Sequence, residues 1–487
     1  MNNRFIISWK TLQRTWSDWR RSDALPGIAP DLPEKDEEMV IQVLSECVAA
    51  RHGAVTARQH AASIGELYLT LNSSGRRRFL EILADADQFG VDQEQVRRVS
   101  RLLAANEDEE EFRQNILKLR EALVSPRQQL LQQFNALPQG VKFLIDMRAE
   151  LLEFLPDSPT LKRLDYDLQQ LLATWFDVGF LQVRQIDWQS PAALLEKLME
   201  YEAVHVISSW SDLRHRLEWD RQCYAFFHPA LPEEPLIFIE VALVKGLAPS
   251  IQVLLEEHRD DIHPEEADTA IFYSISNAQA GLKGISFGPF LIKKVVDSLS
   301  HTLPNLKIFS TLSPIPGFRR WLEQLLADDT SAQDKESFST VLEEAAQALG
   351  VEANLASVID HPDWRENPQV CGLLKEPLLT LCARYLHQRR AKDNAPLDPV
   401  ARFHLGNGAR IEQLNWLGDV SAKGMRESCG LMVNYLYALN DIKHNIEVYS
   451  QEKHIAAAPR IRKLLSEHET KLGPLSGLRR WGSRKGR

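Results

Sequence analysis

The sequence predicts a multidomain α+β protein, in which an N-terminal all-α helical bundle precedes an α/β domain with helical insertions. Residues 36–155 show helical spacing of apolar residues and almost no alternation with a period of two. From about Phe180 onward, apolar runs typical of strands alternate with helical segments, which indicates an α/β sheet. A chain of 487 residues also exceeds what one hydrophobic core usually holds, so at least two domains are expected.

The predicted helical bundle covers residues 1–178. Val40, Leu44 and Cys47 follow the spacing of one helix face. Ser125 is expected to cap a helix that begins at Pro126, because a serine hydroxyl accepts from free N–H groups and proline lacks one. The segment QGVKFLIDMRAELLEFL predicts the next helix of the bundle.

The predicted second domain covers residues 179–487, with a helical insertion at about 330–400. Its expected strands are CYAFFHP, EPLIFIEVALV, TAIFYSIS and LKIFSTLS, and its first expected helices are SPAALLEKLMEYEAV, APSIQVLLEEH, PFLIKKVVDSLSHTL and PGFRRWLEQLLA. Near the end, VARFHLGNGARIEQLNWLGD suggests strand and turn, and SCGLMVNYLYALNDIKHNIEVY suggests one long helix.

Composition excludes several functional classes. The net charge of −10 argues against a nucleic-acid partner, because neutralising phosphates needs a basic surface. The five cysteines form no C-x-x-C pair, which is typical of reduced thiols. No apolar run reaches the ~20 residues that span a bilayer, and the N-terminal segment has no secretory apolar core. These features predict a cytoplasmic protein that binds neither nucleic acid nor membrane.

The sequence GISFG, residues 284–288, allows two chemical interpretations. As G-x-S-x-G it could place Ser286 as a hydrolase nucleophile, but such a serine follows its strand directly, and here the strand ends near Ser276. A glycine loop before a helix that begins near Pro289 fits phosphate binding better, since its backbone N–H groups and the helix dipole favour an anion. A plain turn remains an equal alternative from the residues alone.

Read as Lys283-x-x-Ser286-x-Gly288, this loop resembles a degenerate pyrophosphate loop of the N-acetyltransferase (GNAT) fold, which usually has Arg or Gln, then Gly, then Gly or Ala. Three longer segments are similar to the malonyl-CoA decarboxylase family. They are FYSISNAQAGLKGISFGPFLIKKVV, FSTLSPIPGFRRWL and FHLGNGARIEQLNWLGDVSAKGMRESCGLMVNYLY. The layout of a helical domain before a GNAT-like domain resembles that family over nearly the whole chain.

The resemblance implies a reaction that converts malonyl-CoA to acetyl-CoA and CO₂. It implies that Ser313 of S-P-I-P-G-F and His404 of F-H-L-x-N-G-A are the catalytic pair. It also implies a homodimer or homotetramer formed through the helical domain, with no metal or separate cofactor, because coenzyme A belongs to the substrate. The implied coenzyme A loop comprises Lys283, Gly284, Ile285, Ser286, Phe287, Gly288 and Pro289. Some relatives carry Glu where this chain has Ser286, so a carboxylate role there does not transfer.

The chemistry is compatible with these residues. A malonyl thioester accepts the electron pair as an enolate when CO₂ leaves, so the protein must supply a dry pocket and a proton. A histidine can deliver that proton, and a serine hydroxyl can bind a carboxylate or relay a proton. Ser313 follows a predicted strand, where α/β sheets place ligands. From the residues alone, a turn serine and a hydrogen-bonded core histidine are the favoured explanations of the two positions.

Four further residues are secondary candidates for binding malonyl-CoA. Ser274 and Ser276 close the strand before the loop, so their hydroxyl or N–H groups could serve the thioester oxygen; ordinary strand alternation is the alternative. Asn407 could bind substrate or simply form a left-handed turn. Lys197 could meet a phosphate or lie on a solvated helix face. Two other functions stay open: an acyl-CoA-dependent acyltransferase of GNAT type, and a non-catalytic acyl-CoA-binding regulator.

Overall fold

The structure, a computed structural model, describes residues 16, 27–49, 54–105, 108–176, 178–256, 262–285, 291–328 and 332–472. The chain forms two compact units. Unit 1 comprises Met1–Gln182, Phe227–Leu236 and Asn277–Phe287, and unit 2 comprises Val183–Phe226, Ile237–Ser276 and Gly288–Arg487. The first unit is largely helical and the second mixes helices with a sheet, as the spacing of apolar residues in the two parts predicts. The division falls after Gln182 rather than after residue 178 as predicted, and unit 1 also includes two short segments of the later sequence.

The helices of unit 1 that lie in the described residues run from α1 to α9. They are α1 (Glu34–Ala49), α2 (Ala54–Thr70), α3 (Ser73–Ala84), α4 (Ala86–Phe89), α5 (Gln93–Ala105), α6 (Glu109–Ala122), α7 (Pro126–Gln133), α8 (Gly140–Phe154) and α9 (Lys162–Trp175). Short 3₁₀ turns at Phe134–Ala136 and Pro159–Leu161 connect α7 to α8 and α8 to α9.

An aromatic cluster fills the centre of unit 1. The Phe143 ring of α8 lies between Trp16, at 5.1 Å between ring centroids, and Phe134, at 5.0 Å. Tyr68 meets the edge of the same ring at 5.7 Å. Edge and stacked contacts of this kind add to the stability gained from burying large apolar rings. This core makes α8 the central helix of the unit, with most of its residues buried.

The start of α7 confirms the predicted helix cap. The Ser125 hydroxyl accepts from the Gln128 N–H at 3.3 Å, and the Gln128 side chain accepts from the Ser125 N–H at 3.2 Å. This reciprocal pair is a capping box, which satisfies two backbone donors that a helix end leaves free. Pro126 occupies the first helical position without losing a hydrogen bond.

The sheet contains the strands β1 (Gln182–Ile186), β2 (Arg221–His228), β3 (Leu231–Val244), β4 (Thr269–Asn277), β5 (Ile308–Thr311), β6 (Ser313–Pro314), β7 (Arg410–Asn415) and β8 (Met432–Leu436). Their order is β1-β2-β3-β4-β5-β8-β6, with β7 also paired to β8. β4 and β5 are parallel, whereas β8 runs antiparallel to β5, β6 and β7. The four strands predicted first correspond to β2 to β5 and are confirmed.

The helices of unit 2 in the described residues continue the numbering. They are α10 (Ala192–Tyr201), α11 (Trp210–Arg216), α12 (Ile251–Leu255), α13 (Leu291–Thr302), α14 (Phe318–Ala327), α15 (Ala332–Leu349), α16 (Leu355–Ile359), α17 (Pro368–His387), α18 (Pro399–Gly406), α19 (Ala422–Ser428), α20 (Ile442–Glu452) and α21 (Pro459–Leu472). The segment at about 330–400 forms the helices α15 to α17, and its interpretation as an insertion stays a prediction.

Two predictions near the C-terminus are wrong. The segment from Ser428 to Tyr449 is not one long helix, because it forms β8, a turn and then α20. β8 is buried on both faces, so its apolar run lacks the alternation that would mark a strand. His404 belongs to α18 rather than to a strand and turn. Its helix begins with Asp398 as N-cap and Pro399 at the first position, a start signal that the following glycines obscured.

Among the described residues, no helix is long and apolar enough to cross a membrane. Within the same residues, no group of three or more histidine, cysteine, aspartate or glutamate side chains could hold a metal ion.

The capping box predicts a local change in stability. Ser125→Ala removes the hydroxyl acceptor, which costs about 1 kcal/mol at a helix start. Hydrogen exchange of the first-turn amides of α7 should therefore accelerate about fivefold. Thr174→Ala is the control, because the Thr174 hydroxyl donates only within α9, to the Gln170 carbonyl. Unchanged exchange in Ser125→Ala would show that the cap does not stabilise α7.

Candidate active site

Ser313 and His404 lie in hydrogen-bonding contact, although they are far apart in sequence. The Ser313 Oγ is 3.1 Å from His404 Nε2. Ser313 begins β6, with one residue between it and the end of β5, and His404 lies in the last turn of α18. Both side chains are buried, with 5% and 3% of their surfaces exposed. The structure thus brings together the two residues that the family resemblance implies as a pair.

The environment of His404 holds its imidazole uncharged. Burial lowers the pKa of His404 to about 3, because an imidazolium would lose its hydration there. The Tyr435 ring stacks on the imidazole, with centroids 4.6 Å apart and planes 25° apart. Tyr437 Oη lies 2.8 Å from His404 Nδ1. The imidazole is therefore neutral at physiological pH and has a partner for each ring nitrogen.

The hydroxyl of Ser313 defines which nitrogen of His404 carries hydrogen. Ser313 donates to Thr311 Oγ1 at 2.8 Å, and Thr311 Oγ1 also accepts from the Tyr435 N–H at 3.1 Å. Since the Ser313 hydrogen points to Thr311, Nε2 of His404 must donate to Ser313 Oγ. A neutral imidazole has one N–H, so Nδ1 accepts from the Tyr437 hydroxyl. The contacts form a directed chain from Tyr437 through His404 and Ser313 to Thr311.

The sheet and α18 fix this chain of contacts in place. Pairing of β8 with β6 sets Ser313 opposite Val433, and the Tyr437 N–H donates to the Phe309 carbonyl at 2.8 Å. Asp398 caps α18 by accepting from the Ala401 N–H at 2.7 Å. Burial raises the pKa of Asp398 to about 6. Sheet pairing therefore positions Ser313 and Tyr437, and the capped helix α18 positions His404.

Ser274 and Ser276 both contact one buried carboxylate. Their hydroxyls donate to Glu202 Oε2 at 2.7 and 2.9 Å. The other oxygen of Glu202 accepts from the N–H groups of Val204 and His205, at 2.7 and 2.9 Å. The hydroxyl hydrogens of both serines are therefore committed to Glu202, and a contact of either serine with a thioester oxygen stays a prediction. Glu202 is absent from the sequence-based candidates.

Part of the predicted phosphate loop lies in the described residues. Lys283 and Gly284 are exposed, Ile285 is buried, and Gly284 has a left-handed φ of +80° that favours glycine. Ser286, Phe287, Gly288 and Pro289 lie outside the described residues. The role of the loop in binding phosphate stays a prediction.

Asn407 does not have the left-handed conformation suggested for it. It ends α18 at φ −91°, and the following Gly408 takes the left-handed conformation instead, at φ +87°. The Asn407 side chain donates to the Phe403 carbonyl at 2.8 Å, while its buried Oδ1 has no hydrogen-bond partner among the described residues. Lys197 lies half-buried on α10. Substrate contacts of either residue stay predictions.

Tyr437 and Thr311 complete the site but were not sequence-based candidates. Thr311 is separated from Ser313 by one residue, so an alternating strand pattern could have linked the two hydroxyls. Tyr437 follows Tyr435 with the same spacing, a signal that the helical interpretation of this segment hid.

Comparison with known proteins identifies close relatives. The family models for the malonyl-CoA decarboxylase N-terminal and C-terminal domains match residues 89–176 and 179–473. The mitochondrial malonyl-CoA decarboxylase of Anser anser anser is 36% identical over 434 residues, which cover 85% of this chain and 84% of that protein. The one from Rattus norvegicus is 36% identical over 463 residues, which cover 91% and 89%. The crystal structure of malonyl-CoA decarboxylase from Rhodopseudomonas palustris is 41% identical, with a TM-score of 0.80, and the match covers 88% of this chain and 99% of that one.

These relatives contradict the predicted location. Both curated proteins are named mitochondrial, whereas the sequence features were interpreted as cytoplasmic. The cytoplasmic prediction is therefore wrong. A missing secretory core argues only against secretion and carries no information about organelles.

The hydrogen positions at His404 predict a spectroscopic signature. With a pKa of about 3, His404 should keep one neutral tautomer from pH 5 to 8, with hydrogen on Nε2 and none on Nδ1. ¹⁵N spectra of histidine-labelled protein should show this pattern, assigned by its loss in His404→Asn. A titration of this ring near pH 6.5 would contradict the neutral assignment.

The same shift has a consequence for stability. Unfolding returns the His404 pKa to about 6.5, so below that pH the unfolded chain binds a proton that the folded chain excludes. This contribution to stability is present above pH 6.5 and is lost as pH falls toward 3.

Proposed function

The chain belongs to the malonyl-CoA decarboxylase family, and we propose that it converts malonyl-CoA to acetyl-CoA and CO₂ with Ser313 and His404 as its reacting pair. The observation that supports this assignment is the buried contact between Ser313 Oγ and His404 Nε2, completed by Tyr437 at Nδ1. Coenzyme A enters and leaves as part of the substrate and product. The chemistry needs no further cofactor, because the thioester itself accepts the electron pair.

The first step is loss of CO₂. The bond between the malonyl α-carbon and its carboxylate breaks, and the electron pair moves onto the thioester as an enolate. A buried site favours this step, because a concentrated carboxylate charge is harder to remove from water than the delocalised enolate and neutral CO₂. In this proposal substrate binding turns the Ser313 hydroxyl from Thr311 toward the malonyl carboxylate, and the Nε2–H of His404 leaves Ser313 Oγ for the malonyl end.

The second step is protonation of the enolate carbon. His404 donates its Nε2 hydrogen, and Nδ1 takes the hydrogen of Tyr437 in the same movement, so no imidazolate forms. After the product leaves, Nε2 takes a proton from solvent and Nδ1 returns its hydrogen to the Tyr437 phenolate, which restores the resting tautomer and balances the one proton that the reaction consumes. Burial raises the pKa of Tyr437 well above its usual range, so its phenolate is reprotonated readily. Ser313 assists through its contact with the malonyl carboxylate in the first step.

A GNAT-like catalytic domain is part of the proposal. β4 and β5 are parallel, and their register ends at Phe272 opposite Thr311. β4 continues through Ser274 and Ser276, while Ser313 follows β5, so the carboxyl ends of two neighbouring strands carry the polar candidates. Parallel sheets bind ligands at such ends. A separate prediction is that the protein forms a homo-oligomer through residues 1–178.

Incubation of purified protein with malonyl-CoA alone tests the assignment. Acetyl-CoA and CO₂ should appear in equal amounts without any acceptor. Product that appears only with an added amine would indicate an acyltransferase, and binding without turnover would indicate a regulator.

Replacement of the reacting pair predicts loss of turnover rather than of binding. General acid catalysis typically contributes ~10²–10⁴ in rate, so His404→Asn should lower kcat by about that range. KM should stay within about threefold, since coenzyme A supplies most of the contacts. Ser313→Ala should also lower kcat, and the double variant should lose little more than the worse single variant if the two act as one unit.

The exposed His301 provides the control, because His301→Asn should leave both constants unchanged. Circular dichroism and thermal melting must show that each variant is folded. A folded His404→Asn protein with nearly full kcat would refute the role of His404.

The neutral tautomer predicts the pH dependence. An imidazolium acid would lose activity as pH rises through about 6.5, whereas a neutral N–H donor keeps it. We expect kcat/KM not to fall between pH 6 and 8, which assays of acetyl-CoA formation at fixed times can measure.

Tyr437→Phe removes the hydrogen that replaces the one lost from His404 and should lower kcat by about tenfold or more. An unchanged kcat in that variant would exclude Tyr437 from the proton transfer.

A further inference from the structure

The turn after β4 is pressed against the central helix of unit 1. It comprises the residues from Gly281 to Ile285. A Cβ added to Gly281 would lie 1.8 Å from the Ile145 carbonyl oxygen of α8, so only glycine allows this approach. Leu282 and Ile285 are buried on either side of the exposed Lys283 and Gly284. The turn therefore has a fixed base and an exposed tip.

A buried arginine of α8 holds the start of this turn. The Arg148 Nη1–H donates to the Gly281 carbonyl at 2.6 Å, and its Nε–H donates to Asp165 of α9 at 2.8 Å. Arg148 is 2% exposed, and burying a guanidinium is costly unless its donors are paired. Its pairing with a loop carbonyl fixes where that carbonyl lies, and with it the direction of the turn.

A second side chain of α9 holds the tip. The Gln169 Nε2–H donates to the Gly284 carbonyl at 2.9 Å. Gly284 has a left-handed φ of +80°, so its carbonyl would otherwise be free to reorient at little steric cost. Lys283 lies between the two anchored carbonyls and is exposed. Its ammonium is the strongest attraction for an anion on the turn.

We propose that Arg148 and Gln169 are positioning residues for coenzyme A, which hold the Gly281–Ile285 turn so that Lys283 binds the pyrophosphate. The inference rests on the proposed function, because it names residues that serve the same substrate. Neither residue touches the reacting atoms in this proposal. Their loss should therefore weaken recognition of phosphate and leave the chemical step intact.

Truncated substrates test the inference with the full-length protein. Arg148→Met should raise the KM for malonyl-CoA about tenfold, with kcat within about threefold, since a charge-assisted hydrogen bond is lost. Gln169→Ala should raise KM about threefold, as for a neutral hydrogen bond. Both increases should persist with malonyl-dephospho-CoA, which keeps the pyrophosphate, and disappear with malonyl-pantetheine, which has no phosphate. Arg148→Lys, which keeps a cationic donor, should recover part of the loss.

Arg127→Met is a matched control within unit 1. Arg127 is also buried and donates to a carboxylate of α9, Asp167, and to a backbone carbonyl, that of Ala84, but not to the turn. It should leave the KM for malonyl-CoA unchanged even where it lowers thermal stability. If Arg148→Met does not fold, Gln169→Ala tests the inference, because the contact of Gln169 with the Gly284 carbonyl is exposed.

The outcomes separate two failures. If the wild-type protein forms no acetyl-CoA from malonyl-CoA, the proposed function is wrong and the inference fails with it. If the wild-type protein is active but the variants affect malonyl-CoA and malonyl-pantetheine equally, or neither, only the positioning role is wrong. An effect that disappears already with malonyl-dephospho-CoA would assign the 3′-phosphate instead of the pyrophosphate and would overturn the stated contact.

Discussion

The burial of an uncharged His404 is the constraint on which the arrangement of the site depends. An imidazole removed from water has to satisfy both ring nitrogens, because an unpaired buried polar atom costs about 1–3 kcal/mol. Ser313 and Tyr437 meet that need from two different parts of the sheet. The Tyr435 ring covers a face of the imidazole and excludes water from it. Removing any one partner would therefore change the state of the others.

The strand order explains how residues distant in sequence reach the same imidazole. β8 lies between β5 and β6 and runs antiparallel to both. Tyr435 of β8, and Tyr437 just after it, therefore lie beside the point where β5 ends and Ser313 begins β6. Residues two apart on a strand face the same side, which lets one tyrosine stack on the ring while the other bonds to its nitrogen. Asn434, which faces the opposite way, donates to the carbonyls of Thr311 and Ala248 and holds the strands together.

Sequence patterns predicted the parts of this fold whose cause is local. Alternation and apolar runs marked β2 to β5, and the cap at Ser125 marked α7, since neighbouring residues alone determine these features. β8 was missed because a strand buried on both faces has no polar side to reveal its period. Ser313 and His404 became candidates only through family resemblance. No local pattern encodes a contact between residues so far apart, and for the same reason Tyr437, Glu202 and Arg148 stayed hidden.

A neutral imidazole suits this reaction better than a charged one. An imidazolium beside the malonyl carboxylate would form an ion pair that stabilises the bound substrate most strongly, and that pairing would weaken as the carboxylate becomes CO₂. Such binding favours the ground state and raises the barrier. The enolate carbon is basic enough to take hydrogen from a neutral N–H, provided that the other nitrogen is refilled at once. In the proposed mechanism Tyr437 at Nδ1 supplies that hydrogen, and the same burial that lowers the His404 pKa favours the neutral N–H that acts as the acid after CO₂ has left.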